Sequence, residues 1–261
     1  MNQWHEAKHF IRHLFLARNR HGVHSPLVYK LNTQVLTRTI HFTEFEQIES
    51  ARKDLLADKR SIEVEDFGAG SRAESRGLRT VCSIAKNALA PAHQAQALFK
   101  LIRHFQPTSI LELGTSLGIT TSYLAKAAPE AQISTIEGSS NIAQLAQATF
   151  QKLNISHIDS VIGTFDEVLD HVLNKRTSWD MIYIDGNHRF EATVRYLDKI
   201  KPFLNENSIV VLDDIYWSKE MTQAWQQACQ REEFSLFLDY FHFGILFCRP
   251  RMQREYHKVR Y

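Results

Sequence analysis

The stretch "ILELGTSLGITT", Ile110 to Thr121, decides how this chain folds. The run before Gly114 is apolar, as a strand buried on both faces of a parallel sheet must be. Gly114 lacks a Cβ, so it permits a tight turn and close approach of a ligand to the backbone. Gly118 opens the next helix, whose free N–H groups and dipole suit an anionic group such as a carboxylate. Thr115, Ser116 and Thr120 add hydroxyl donors. The next β-rich run, "QISTIE", ends in Glu137, an acid suited to accept hydrogen bonds from two ribose hydroxyls. Strand, glycine turn, helix, strand and acid, in this order, read as a cradle for a nucleotide-like cofactor.

Outward from this stretch the rhythm repeats. Strands are expected at "SILEL" (109–113), "QISTIE" (132–137), "IDSVIG" (158–163), "DMIYID" (180–185) and "SIVVLD" (208–213), with an amphipathic helix in each gap. That alternation is the pattern of a parallel sheet covered on both faces. "FSLFLDY" and "FGILFCR" follow with too little chain between them for a crossover helix, so they pair as an antiparallel hairpin. Upstream, the first hundred or so residues read as mainly helical. "HEAKHFIRHLFLAR" places Ala7, Ile11, Leu14 and Phe15 on one helical face. Gly22 and Pro26 break the segment "RNRHGVHSP", whose His21 and His24 suit a lid.

A second glycine turn competes with the first. "SIEVEDFGAGSR", Ser61 to Arg72, has a strand that alternates Ile62 and Val64 with Glu63 and Glu65, so one face meets water. That suits an edge or hairpin rather than a central parallel strand. Arg72 stands where a third glycine would be, and no strand ending in an acid follows. The expectation is a plain turn, or a substrate-side loop presenting Arg72, Arg76 or Arg79 to an anionic group.

Composition narrows the function classes. The chain has 261 residues, 44% hydrophobic and 23% charged, enough for one large domain or a domain with an extension. A net charge of +2 gives no global nucleic-acid signature. Basic residues gather at both ends, where they read as solvated ends or as sites for an anionic partner. Three cysteines without a CxxC pair suggest neither a disulfide framework nor structural zinc. His5, His9 and His13 share one helical face, a spacing seen in zinc sites, but no further ligand is evident. No apolar run approaches the ~20 residues of a membrane span, and the first residues lack a signal-peptide pattern. A cytoplasmic protein with no membrane partner is expected.

Residues 109–249 resemble the class I S-adenosylmethionine-dependent methyltransferases. "ELGTSLG" matches their first motif and "STIEG" their second. "DMIYIDGNH" followed by "IVVLDDIYW" is most similar to the metal-dependent O-methyltransferases of the catechol and caffeoyl-CoA type and to related bacterial small-molecule methyltransferases. The resemblance implies a Rossmann-like α/β fold: a seven-stranded sheet of five parallel strands and a terminal antiparallel hairpin, with a mainly helical N-terminal extension. Residues 1–105 would form a cap and acceptor region, 106–250 the cofactor-binding domain and 251–261 a basic tail. S-adenosylmethionine is the implied cofactor. Glu112, Gly114, Thr115, Ser116, Gly118 and Thr120 would line its methionine end, and Glu137 and Gly138 its ribose. Phe165 and Asp166 would lie beside the adenine.

Asp185 would sit near both the cofactor and a divalent cation such as Mg²⁺, with Asp213 and Asp214 completing the metal site. The residue types agree, since three carboxylates at one sheet edge repel unless a cation joins them, and an all-oxygen set suits Mg²⁺. The competing reading makes them caps of a loop and of the last helix. His188 stands where the resembling enzymes carry a lysine base, and a histidine accepts a proton at neutral pH. It would act as the catalytic base beside Asp185, or else be a surface or capping residue. Trp217 would wall an acceptor pocket or pack into the core. The expected activity is methyl transfer to a small molecule, at oxygen. Nucleic-acid methylation, cofactor binding without turnover and aminopropyl transfer are the rivals. A homodimer is left open.

Overall fold

The computed structural model describes residues 2–17, 25–37, 42–65 and 77–260. The DFGAGS glycine turn from Asp66 onward, with Arg72 and Arg76, and His21 and His24 of the expected lid lie outside them.

The chain begins with α1 (Asn2–Leu16) and α2 (Pro26–Lys30), which runs on as a π-helical segment, Leu31–Leu36. Then come α3 (Thr43–Ala57), β1 (Ser61–Val64), β2 (Gly77–Thr80), α4 (Val81–Ala88) and α5 (Ala92–Phe105). From there strands and helices alternate: β3 (Ser109–Leu113), α6 (Ile119–Ala127), β4 (Gln132–Glu137), α7 (Ser140–Lys152), β5 (Ile158–Ile162) and α8 (Phe165–Leu173). The alternation continues with β6 (Trp179–Ile184), α9 (Phe190–Ile200), β7 (Leu204–Asp213) and α10 (Lys219–Ala228). The last elements are β8 (Leu236–Asp239), β9 (Phe243–Phe247) and β10 (Glu255–Lys258). Among the described residues, eight of ten strands belong to one mixed sheet, and β1 with β2 forms a separate antiparallel ribbon. The five expected parallel strands and the terminal hairpin are all present.

The chain divides into two compact units, residues 39–172 and residues 1–38 with 173–261. In the first unit, β3 pairs in parallel with β4, and β4 with β5. Every residue of β3 is buried, as its apolar sequence requires. The β1–β2 ribbon is the edge-type strand that the alternation of Ile62 and Val64 predicts. It extends over "GLRT", which reads as helix in sequence; there Thr80 caps α4 by accepting a hydrogen bond from the Ser83 N–H. Val64, Val81, Ile84 and Ala85 pack with Leu117 of the glycine turn after β3 and with Ile142 of α7. The Asn141 side chain donates to the Glu63 carbonyl, 2.8 Å. The stem of one glycine-rich loop therefore supports the other.

In the second unit, β6 pairs in parallel with β7, β7 antiparallel with β9, and β9 antiparallel with β8. Beyond the expected hairpin, β10 adds a further strand, parallel to β8. The basic C-terminal residues are thus partly built into the sheet. The Arg254 guanidinium lies 4.8 Å from the Phe237 ring centre, and the Lys258 ammonium lies 3.2 Å from Asp239.

Helix α1 sits the other way round from its apolar pattern. Ala7, Ile11, Leu14 and Phe15 are exposed, while the histidine face turns inward. His5 hydrogen-bonds Thr222 at 2.9 Å, the His9 ring stacks on Tyr216, and His13 meets Asp239 at 3.3 Å. The three histidines dock a helix. Buried Asp239 decides the orientation, because a charge taken out of water must be paired.

Candidate active site

The cofactor-loop residues lie in the first unit. Register places Glu112 opposite Thr135 and Leu113 opposite Ile136, so the turn after β3 runs beside the end of β4. The Gly114 and Thr115 N–H groups both donate to the Ile136 carbonyl, at 3.1 and 3.2 Å. Gly114 and Gly118 take φ of 109° and 78°, in the left-handed region where a side chain is strained. At Gly118 a Cβ would also lie 2.7 Å from the ring of buried Phe150. Ser116 holds φ of 48° although it is not glycine, and its buried Oγ has no hydrogen-bond partner among the described residues. Strain and an orphaned hydroxyl on one residue fit a ligand contact there.

Glu137 is held in a single orientation. One carboxylate oxygen accepts from the Ser116 N–H at 2.9 Å and the other from the Ser139 N–H at 3.0 Å. Gly138 follows it at the turn, and Gly163 donates to the Glu137 carbonyl at 2.9 Å. Phe165 and Asp166 begin α8, partly buried and exposed respectively. Glu112, expected at the cofactor's methionine end, is fully buried. It accepts hydrogen bonds from the Thr121 and Thr135 hydroxyls, both at 2.6 Å. Thr115 hydrogen-bonds Thr135 at 2.6 Å, so Glu112 braces the turn from beneath. Thr120 is buried in the first turn of α6, where no side chain caps the helix N-terminus.

The acidic residues lie in the second unit. The β6–β7 register pairs Ile184 with Leu212, which brings the next residues, Asp185 and Asp213, side by side. Tyr183, which sequence reasoning missed, points the same way as Asp185 because side chains alternate along a strand. Its hydroxyl lies 2.6 Å from Asp213 and 3.3 Å from Asp185. The His188 Nε2 lies 3.5 Å from Asp185, and its ring 5.6 Å from that of Trp217. The His188 Nδ1 is buried without a hydrogen-bond partner among the described residues. Asp214 has φ of 54° and accepts the Trp217 N–H on its backbone carbonyl at 2.9 Å.

Electrostatics divide the labour in this group. Burial alone would lower the His188 pKa, but Asp185, Asp214 and Asp213 outweigh it and lift the pKa to about 9. Burial pushes Asp213 well up, and the charges of Asp185 and Asp214 push it further. Asp214 rises to about 6, mainly by burial, with Asp185 and Glu6 of α1 adding to it against the pull of His188. A pKa raised this far favours the protonated imidazole at neutral pH.

The cation expected at Asp185, Asp213 and Asp214 would relieve this repulsion, but the donors as placed do not make its site. Tyr183 already spans two of the carboxylates. Among the described residues no three His, Cys, Asp or Glu side chains are arranged to hold a metal ion.

The turn from Asp213 to Trp217 is braced from behind. Tyr216 donates to buried Asp239 at 2.6 Å, as does Tyr256. Burial would raise the Asp239 pKa; His13, Lys258 and the two tyrosines reverse that and hold it below the ordinary carboxylate range. Ser218 then caps α10 by accepting from the Met221 N–H at 3.0 Å.

The family described as "Methyltransferase domain" matches residues 111–215. No curated protein is similar to the chain in sequence. Many solved structures share its fold, among them three methyltransferases. The O-methyltransferase TomG from Streptomyces achromogenes, in complex with SAM, is 15% identical with a TM-score of 0.57, over 85% of this chain and 95% of its own. An O-methyltransferase from Bacillus cereus in complex with SAH is 14% identical with a TM-score of 0.57, over 84% and 94%. The SAH-bound methyltransferase PaMTH1 from Podospora anserina is 15% identical with a TM-score of 0.57, over 82% and 100%. No helix among the described residues is long and apolar enough to cross a membrane. Residues 111–215 thus match the methyltransferase-domain family, and the chain shares the fold of these methyltransferase structures.

Proposed function

We propose that the chain transfers a methyl group from S-adenosylmethionine to a hydroxyl oxygen of a small molecule. The observation that carries this reading is Glu137, fixed by two backbone N–H groups at the strand end beside the glycine turn. An acid so oriented suits a ribose diol. The buried, unpartnered Ser116 Oγ and the uncapped start of α6 suit the carboxylate of an amino acid. Structures of the same fold that hold SAM or SAH support the choice of cofactor.

When bound, S-adenosylmethionine supplies a methyl group on a positively charged sulfur. The chain's own residues then do two things. Gly114, Thr115, Ser116, Gly118 and Thr120 shape the turn against the methionine end, with Glu112 as their internal brace. Glu137 and Gly138 take the ribose; Phe165 and Asp166 flank the adenine.

The acceptor hydroxyl must lose its proton as its oxygen gains the methyl group. At neutral pH His188 is already protonated, so it pairs with Asp185 and offsets the local negative charge. Asp214, with a pKa of about 6, is ionised yet close to neutrality, the range in which a general base works best. We assign the base to Asp214 and no step to a cation.

Calorimetry with S-adenosylhomocysteine tests the first half; absence of binding ends the reading. A screen of hydroxylated small molecules with labelled cofactor tests the second. Binding without turnover on any of them would favour a non-catalytic cofactor-binding protein.

A further inference from the structure

Helix α1 carries its apolar residues on the outside. At 3.6 residues per turn, Leu14, Ala7, Ile11, Trp4 and Phe15 fall in that order within an arc of about 100°. All five are exposed: Trp4 at 86%, Phe15 at 85% and Ile11 at 56% of their full surface. An amphipathic helix on a globular protein normally buries this stripe. Here the opposite face is committed, because His5, His9 and His13 dock it through Thr222, Tyr216 and Asp239. Among the described residues nothing covers the apolar arc, and a contiguous exposed apolar patch marks an interaction surface.

Two observations choose the occupant. Exposed Lys8 and Arg12 border the arc on the Phe15 side, while Glu6, the helix's one acid, is turned toward Asp214. Apolar and aromatic residues flanked by cations suit an anionic lipid surface. In a face-to-face pair of α1 helices with antiparallel symmetry, the same basic flanks would meet and repel. The strip is also about 22 Å long and no wider than a helix of ~10 Å. It falls short of the ~800 Å² per partner that a standard protein–protein interface buries. A lipid surface needs no matching partner shape, only a helix lying in the interface plane.

We propose that α1 is a membrane-surface anchor: Trp4, Ile11, Leu14 and Phe15 enter the headgroup boundary of an anionic bilayer, and Lys8 and Arg12 meet its lipid phosphates. Surface anchoring requires no membrane-spanning helix. It is independent of the methyl-transfer reading and would hold if that reading failed.

The test is flotation of the full chain with vesicles of phosphatidylcholine alone or mixed equally with phosphatidylglycerol. Wild type should float with the mixed vesicles, at least about tenfold more than with phosphatidylcholine. The preference should fade between about 0.1 M and about 1 M salt, as screening shortens from ~10 to ~3 Å. The double variant I11S/F15S should stay in solution with an unchanged melting temperature, since both side chains are exposed. K8E/R12E should lose the preference for anionic vesicles. If I11S/F15S proves destabilised, K8E/R12E and the salt series still decide the matter. Wild type that does not float, or floats as well after both pairs of changes, overturns the proposal. So does sedimentation showing a dimer that I11S/F15S dissociates while vesicles leave wild type in solution; the arc would then join two copies of the chain.

Discussion

The turn after β3 and the turn after β7 both follow parallel strands, yet they prepare for chemistry by opposite means. The first is made of backbone and small residues. Gly114 and Gly118 supply left-handed conformations, Ser116 bears strain, and the charge present, Glu137, is fixed by two N–H groups. The second is made of charged side chains that disturb one another. Tyr183 and His188 are shared among Asp185 and Asp213, and Asp214 sits near its own titration point. A turn built from backbone holds a ligand by shape and directed donors. A turn built from mutually repelling acids is suited to moving protons, because small changes in charge shift its equilibria.

If that division is right, substitutions in the two turns should have separable effects. The largest should come from Asp214→Asn. It removes the proposed base and should lower the methyl-transfer rate about 10² to 10⁴-fold, with S-adenosylhomocysteine affinity unchanged by calorimetry. A parallel loss of binding would erase the distinction between the turns. Next is Glu137→Ala, which removes a charged acceptor worth about 1.5–3 kcal/mol per hydrogen bond. Binding of S-adenosylhomocysteine should weaken roughly 10- to 100-fold.

Gly118→Ala should destabilise the fold by about 1–3 kcal/mol, read by denaturant unfolding, because the new Cβ meets the Phe150 ring at a left-handed φ. A smaller effect is expected in the pH dependence of stability. The folded pKa of His188 lies above its ordinary value, so its protonation stabilises the fold fully below pH about 6.5. That contribution is lost as pH rises through about 9. His188→Gln should therefore flatten the fall in melting temperature across that window; an unchanged slope would mean that His188 carries no raised pKa. The smallest effect expected is none: Asp66→Ala, in the DFGAGS turn, should leave S-adenosylhomocysteine binding as it is. A loss of binding there would give that loop the cofactor.

The glycine turn was legible in sequence because backbone demands leave marks on residue type. A left-handed φ calls for glycine at 114 and 118, and a parallel strand buried on both faces calls for the apolar run before them. The acidic turn was legible only as a list of residues. That Asp185 and Asp213 adjoin depends on the β6–β7 register, and that Tyr183 joins them depends on its facing the same way as Asp185. Tyr183 carried a signal that went unread, since it stands two residues before Asp185 on a strand, where alternation sends both side chains to one face. The short run "EYHK" was read as part of a basic tail, although Lys258 and Tyr256 hold buried Asp239.

By itself, the sequence determined the alternating α/β order, the parallel strands and the place of the glycine turn after β3, because these follow from local periodicity and from conformations that only some residues allow. Tertiary structure alone decided the protonation states and the outward face of α1. A pKa depends on which charges end up as neighbours, and α1 turned its histidines inward because Asp239, far along the chain, is buried and needs partners.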